Sequence, residues 1–82
     1  MALSAAELRG MVDAANQEIQ EAQTALQMAA DKLEQAAVRY DQVSEKLHPA
    51  SAQVRNAVER VKEGITGGYQ AIDSANQYTT GL

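Results

Sequence analysis

The chain has 82 residues and contains no cysteine, tryptophan or phenylalanine, one proline and one histidine. Without cysteine there is no disulfide framework and no thiolate metal site. Aromatics are limited to three tyrosines, and many of the 45 % hydrophobic residues are alanines, so side chains large enough to fill a core are scarce. A domain of this length buries only about 60 % of the surface its unfolded chain exposes, and one short of large side chains gains stability by association. Basic residues are also few: 7 against 11 acidic, for a net charge of −4. That balance argues against nucleic acid, whose phosphates require a basic surface, and weakly against an anionic membrane. No apolar run approaches the ~20 residues needed to cross a bilayer. Met1-Ala2-Leu3-Ser4 lacks the basic-then-apolar pattern of a secretory leader. The expected location is the cytoplasm, or the exterior by a route that reads no cleaved leader.

What the chain has in quantity is heptad pattern. Leu8, Val12, Ala15, Ile19, Ala22, Leu26, Ala29, Leu33, Ala36, Tyr40, Val43 and Leu47 follow one another at alternating steps of four and three. Such steps keep one stripe of a helix facing a partner. Position a then holds Val12, Ile19, Leu26, Leu33, Tyr40 and Leu47, and position d holds Leu8, Ala15, Ala22, Ala29, Ala36 and Val43. Position e carries Asn16, Gln23, Ala30, Ala37 and Ser44.

Ser4 followed by Glu7 is a capping box, and Leu3 with Leu8 is placed as a hydrophobic staple. Proline cannot continue a helix, biases the residue before it away from helix, and is favoured at the first position of a new one. The pattern therefore predicts an all-α, antiparallel two-helix hairpin with alanine-rich coiled-coil packing. A first helix spans about 4–47, a turn 47–50, and a second helix about 50–78. In the second helix Val54, Val58, Val61, Ile65, Gly68, Ile72 and Ala75 repeat the rhythm, and Gly64, Gly67 and Gly68 weaken residues 64–68. Arg55 and Lys62 have no acidic residues opposite them at e, so steric fit rather than ion pairing is expected to set the register.

Folding at residues 47–50 places Leu26 near Ile72 and Ile19 near Tyr78, and leaves the start of the first helix uncovered. Leu8, Met11, Val12, Ala15 and Ile19 are the candidate partner interface. A second hairpin, a copy or a similar chain, would cover them and complete a four-helix bundle. Burying a leucine or valine is worth roughly 1.5–3 kcal/mol, which makes several bare ones hard to rationalise.

Nothing in the sequence reads as a catalytic, cofactor or metal site. His48 stands alone beside Pro49 with no second histidine, and Glu18 with Glu21, or Asp31 with Glu34, read as a solvated helix face. Gly64-Ile65-Thr66-Gly67-Gly68 lacks the lysine and the preceding strand of a phosphate loop. The chain reads as a non-enzymatic protein-interaction module, a structural subunit of a helical filament, or an adaptor for a partner helix.

A short, acidic, cysteine-free helical hairpin with Tyr69-Gln70-Ala71-Ile72-Asp73 in its second helix resembles the small bacterial Trp-x-Gly proteins of type VII secretion. The motif covers five residues, and the family's turn tryptophan is replaced here by Leu47-His48-Pro49. The resemblance implies dimers of hairpins, export without a cleaved leader, and a recognition role for Tyr69 and Asp73 in a Tyr-x-x-x-Asp/Glu signal.

Overall fold

The structure is a computed structural model and describes residues 2–82. Two antiparallel helices, α1 (Ala5–Val43) and α2 (His48–Thr80), lie side by side as a rod of 62 × 18 × 15 Å, and no strand occurs among the described residues. Neither helix is long and apolar enough to cross a membrane.

The start of α1 follows its capping signal. Ser4 is extended, and its Oγ accepts a hydrogen bond from the Glu7 backbone N–H at 3.1 Å. Its end does not follow the heptad pattern, which runs on to Leu47. Ser44 turns to extended backbone (φ −169°, ψ 145°), and its Oγ accepts from the Lys46 N–H at 3.1 Å. A serine that bonds the backbone ahead of it competes with helix and starts a new turn. A short 3-10 turn, Glu45–Leu47, follows at once. The reversal therefore sits at 44–47, not 47–50. Pro49 falls in the first turn of α2, where its missing N–H leaves no bond unmade. His48 is itself helical (φ −55°, ψ −39°), against the usual bias of a residue before proline. Its Nδ1 lies 2.8 Å from the Asp41 carboxylate, which ties it back to α1. α2 runs unbroken through Gly64–Gly68 and ends at Thr80, beyond the expected Tyr78.

Moving the reversal towards the N-terminus slides the pairing by about one heptad. Asn16 Nδ2 donates to Asn76 Oδ1 at 3.0 Å, and Gln23 Nε2 donates to the Ile65 carbonyl at 2.8 Å. Ile19, expected near Tyr78, packs at Gly68 instead. The end of α2 thus reaches back along α1, and Leu8, Val12 and Ile19 are half-buried within the hairpin. The long uncovered leading end expected from the sequence is not present.

The seam is also turned on α1. Position a keeps its role, since Val12, Ile19, Leu26 and Leu33 are half-buried. The second seam position is e: Gln23, Ala30 and Ala37 are buried, while Ala15, Ala22 and Ala29 at d are exposed. This is a rotation of roughly 50° from the a/d stripe. On α2 the seam is the expected one, with Val54, Val58, Val61, Ile65, Gly68, Ile72 and Ala75 half-buried or buried. Tyr40, placed in the core by the repeat, is 41 % exposed.

Small residues bring the helices together at this seam. A Cβ on Gly68 would lie 2.8 Å from Gln23 Nε2 and 3.2 Å from Ile19 Cγ2, whereas one on Gly10 would meet nothing within 4 Å. Alanine in place of a helical glycine gains about 1 kcal/mol of propensity. At Gly68 that gain is opposed by displacement of the Gln23 bond, about 1 kcal/mol, and by crowding, about 1–3 kcal/mol. Gly10→Ala is expected to raise the unfolding midpoint and Gly68→Ala to lower it relative to Gly10→Ala. Urea unfolding followed by circular dichroism checks this, and equal midpoints would contradict the close approach at Gly68.

Candidate protein interface

The rotated seam gives the hairpin two unlike broad faces. On one, α1 position b (Asp13, Gln20, Gln27, Glu34, Asp41) runs beside the e residues of α2 (Asn76, Tyr69, Lys62, Arg55). These side chains meet across the seam. Asp41 is the centre of a polar knot near the reversal: its carboxylate accepts from Ser51 Oγ at 2.5 Å and from the Arg55 guanidinium at 2.9 Å, with His48 Nδ1 at 2.8 Å. Arg55 Nε also reaches Glu34 Oε1 at 3.4 Å. Ser51, buried on α2, is satisfied by this bond, as buried hydroxyls require. Arg55 thus has two acidic partners, contrary to the expectation of none. They were missed because the mates lie at b, the flank created by turning α1. Lys62 bonds only within its own helix, to Glu59 at 3.7 Å. Further along, Gln20, Gln23, Thr24, Gln27, Ile65 and Tyr69 line an open groove.

The opposite face is apolar and small. The alanines at α1 position d, Ala15, Ala22, Ala29 and Ala36, flank the seam on this side, and helical phase sets them beside Ala50, Ala57, Gly64 and Ala71 of α2. Tyr40, Val43 and Tyr78 lie on the same side, with Val43 74 % exposed. Charged groups stand only at its outer edges: Glu18, Lys32 and Arg39 along α1, Arg60 along α2. No hydrogen bond or ion pair crosses the seam here among the described residues, in contrast to the polar face.

The residues expected to form the partner interface do not form one patch. Leu8, Val12 and Ile19 serve the seam, whereas Met11 (61 % exposed) and Ala15 belong to the apolar face. The larger part of that face, from Ala22 to Val43 and on α2, was not identified from the sequence. Its signal was the alternative stripe that the d alanines make once a and e are taken by α2. Tyr69 and Asp73 are both exposed, one turn apart on the polar side of α2, and Asp73 Oδ2 accepts from Gln77 Nε2 at 3.2 Å.

Among the described residues no group of three or more histidine, cysteine or acidic side chains is disposed to hold a metal ion. Compared with family models, curated proteins and solved structures, the chain matches none of them.

The polar knot has a measurable consequence. Hydrogen bonds from Ser51 and His48, then that from Arg55, hold the Asp41 carboxyl far below the ordinary carboxylate value of 3.8. The unfolded chain therefore binds this proton more readily than the folded one. The stabilisation is fully present above about pH 4–5 and is lost as the pH falls further. Thermal unfolding of Asp41→Asn is expected to show a lower midpoint at neutral pH and a weaker dependence on pH between about 5 and 2 than the parent chain. Parallel curves would show that Asp41 does not supply this linkage.

Proposed function

We propose that the protein is a non-enzymatic interaction module whose apolar hairpin face docks onto another helical chain. The observation that carries this reading is the mismatch between the two faces and the core. Among the described residues the buried apolar ones are two alanines and one valine, Ala30, Ala37 and Val58, while Ala15, Ala22, Ala29 and Val43 of α1 and Gly64 and Ala71 of α2 stand open to solvent on the apolar face. A monomer of ordinary soluble design exposes charged residues there, and an open apolar face rimmed by charges marks an interaction site. Alanine and glycine on both helices let a partner helix approach closely, which suits helix-on-helix packing.

The test is assembly in the producing cell. Ala29→Glu and Ala57→Glu place charges on the apolar face and are expected to abolish the native complexes that contain the chain. Gln27→Glu on the polar face should leave them intact. Native electrophoresis of the three variants decides it: complexes that survive Ala29→Glu and Ala57→Glu would sink the reading.

A second role is supported by Tyr69 and Asp73. Both stand in solvent on the side of the rod away from the apolar face, so a chain docked there leaves them accessible. In this reading the module is carried by, or serves, a type VII-like secretion system, and the pair is its recognition signal. Tyr69→Ala is expected to stop export without lowering helicity. Normal export of that variant would remove the secretion role and leave the docking face unaffected.

A further inference from the structure

We infer that the polar face carries a binding groove for an extended peptide, whose backbone is hydrogen-bonded by the side-chain amides of Gln20 and Gln23, with Asn16 and Gln27 on either side. The inference does not rest on the docking reading above, because this groove lies on the opposite face of the rod.

Near the reversal the polar face is bridged by the ion pairs of Arg55 with Asp41 and Glu34. From Gln27 onward the seam opens. One depression runs beside Gln20, Gln23, Gln27 and Tyr69, and a second beside Asp13, Asn16, Gln20 and Ile72. They share Gln20, so they form one groove from Gln27 to Asp13, about 21 Å long at the helical rise of 1.5 Å per residue. An extended chain rises about 3.3 Å per residue, so the groove takes about six residues of it. Among the described residues Asp13, at one end, is the one charged side chain that lines it. A phosphate or other anion finds no cation there.

Gln23 is the observation that points to a ligand. At the same heptad position Ala30 and Ala37 close the seam, and an apolar residue at 23 would do so too. Instead a glutamine that is only 7 % exposed stands there, and Gly68 makes room for it: a Cβ on Gly68 would lie 2.8 Å from its Nε2. That nitrogen donates to the Ile65 carbonyl at 2.8 Å. A carbonyl in mid-helix already accepts from the N–H four residues on, so Ile65 has no need of this bond. What the bond does is fix the amide. The Gln23 Oε1 makes no hydrogen bond among the described residues and is not sealed from solvent, so it faces the groove as a fixed, unpartnered acceptor. Buried polar atoms are ordinarily paired, and a peptide N–H supplies the missing partner.

The spacing of the row suits a peptide backbone. Each amide offers donors and an acceptor, as each residue of an extended chain does. Asn16, Gln20, Gln23 and Gln27 follow at rises of about 6, 4.5 and 6 Å along α1. Groups on one side of an extended chain recur about every 6.6 Å, and flexible glutamine side chains span the difference. Gln20 is exposed and makes no hydrogen bond among the described residues, while Gln27 bonds only along its own helix, to Asp31 at 3.1 Å. Both are available to a ligand. Ile65 and Ile72, half-buried, give the other wall an apolar surface for alternate side chains of the peptide. A sugar would also find hydrogen bonds, but its rings favour an aromatic floor, and the one ring here, Tyr69, stands 63 % exposed.

The test is a nuclear magnetic resonance titration of the full 15N-labelled chain with a heptapeptide of serine, threonine and valine, acetylated and amidated at its ends. The side-chain amide resonances of Gln20 and Gln23 are expected to shift and saturate. The same peptide methylated on its backbone nitrogens should move neither. Gln20→Ala, which removes no internal bond, and Gln23→Met, which keeps the volume without the amide, should each weaken binding by about fivefold, the equivalent of one hydrogen bond. The Tyr69 backbone amide reports the affinity of both variants, and circular dichroism checks that helicity is kept. A parallel titration with maltoheptaose tests the sugar. Unmoved glutamine resonances, equal binding of the methylated peptide, unchanged affinity in Gln20→Ala, or saturation by maltoheptaose in place of the peptide would overturn the proposal.

Discussion

The Asp41 carboxylate joins the last turn of α1 to the first turns of α2, and the rest of the hairpin is arranged around that junction. Ser51, His48 and Arg55 all converge on it, and Glu34 secures Arg55 from one side. Together with Gln23 on the Ile65 carbonyl and Asn16 on Asn76, these bonds form a polar line along one edge of the seam. Directional bonds carry weight where the buried apolar residues, among those described, are an alanine pair and a valine. Dispersion and burial at such a core discriminate weakly between neighbouring rotations of a helix, whereas a carboxylate with three donors is satisfied in one geometry.

The cost of that choice appears on the other side of the rod. Committing a and e of α1 to α2 turns Ala15, Ala22 and Ala29 outward, beside Gly64 and Ala71 of α2. The molecule is thereby sorted into a polar face whose bonds are internal and an apolar face with no internal partner. The bonds that fix the hairpin lie on one side of a thin structure and its exposed alanines on the other. A small all-helical chain has few other places to put an interface, because two rods in contact offer only two broad faces. The polar edge closes the hairpin, and Tyr69 with Asp73 stands exposed on that same side.

Much of this was legible from the residues. The Ser4 cap, the helical heptads, the single reversal near Pro49, the antiparallel pairing and the α2 seam all follow from local rules, and local rules act within a few residues. The register was not legible. It turned on whether α1 stops at Ser44 or runs on to Leu47, a competition between a serine hydroxyl bonding Lys46 and a continued apolar repeat. The rotation of α1 was not legible either. Heptad labels are assigned by hydrophobicity, and Gln23 and Asn16 at e read as solvent-facing until the carbonyl and amide that satisfy them are seen across the seam. The acidic partners of Arg55 were hidden for the same reason, since b becomes a flank only after the helix has turned.

By itself the sequence determined that this is a cysteine-free, alanine-rich pair of helices folded back at one point, because helix propensity, caps and the proline are properties of short segments. Only the tertiary structure decided which stripe of α1 meets α2, how far the two rods overlap, and which face is left open. Those depend on bonds between residues as distant in the chain as Asn16 and Asn76, whose geometry exists only once the two helices lie together.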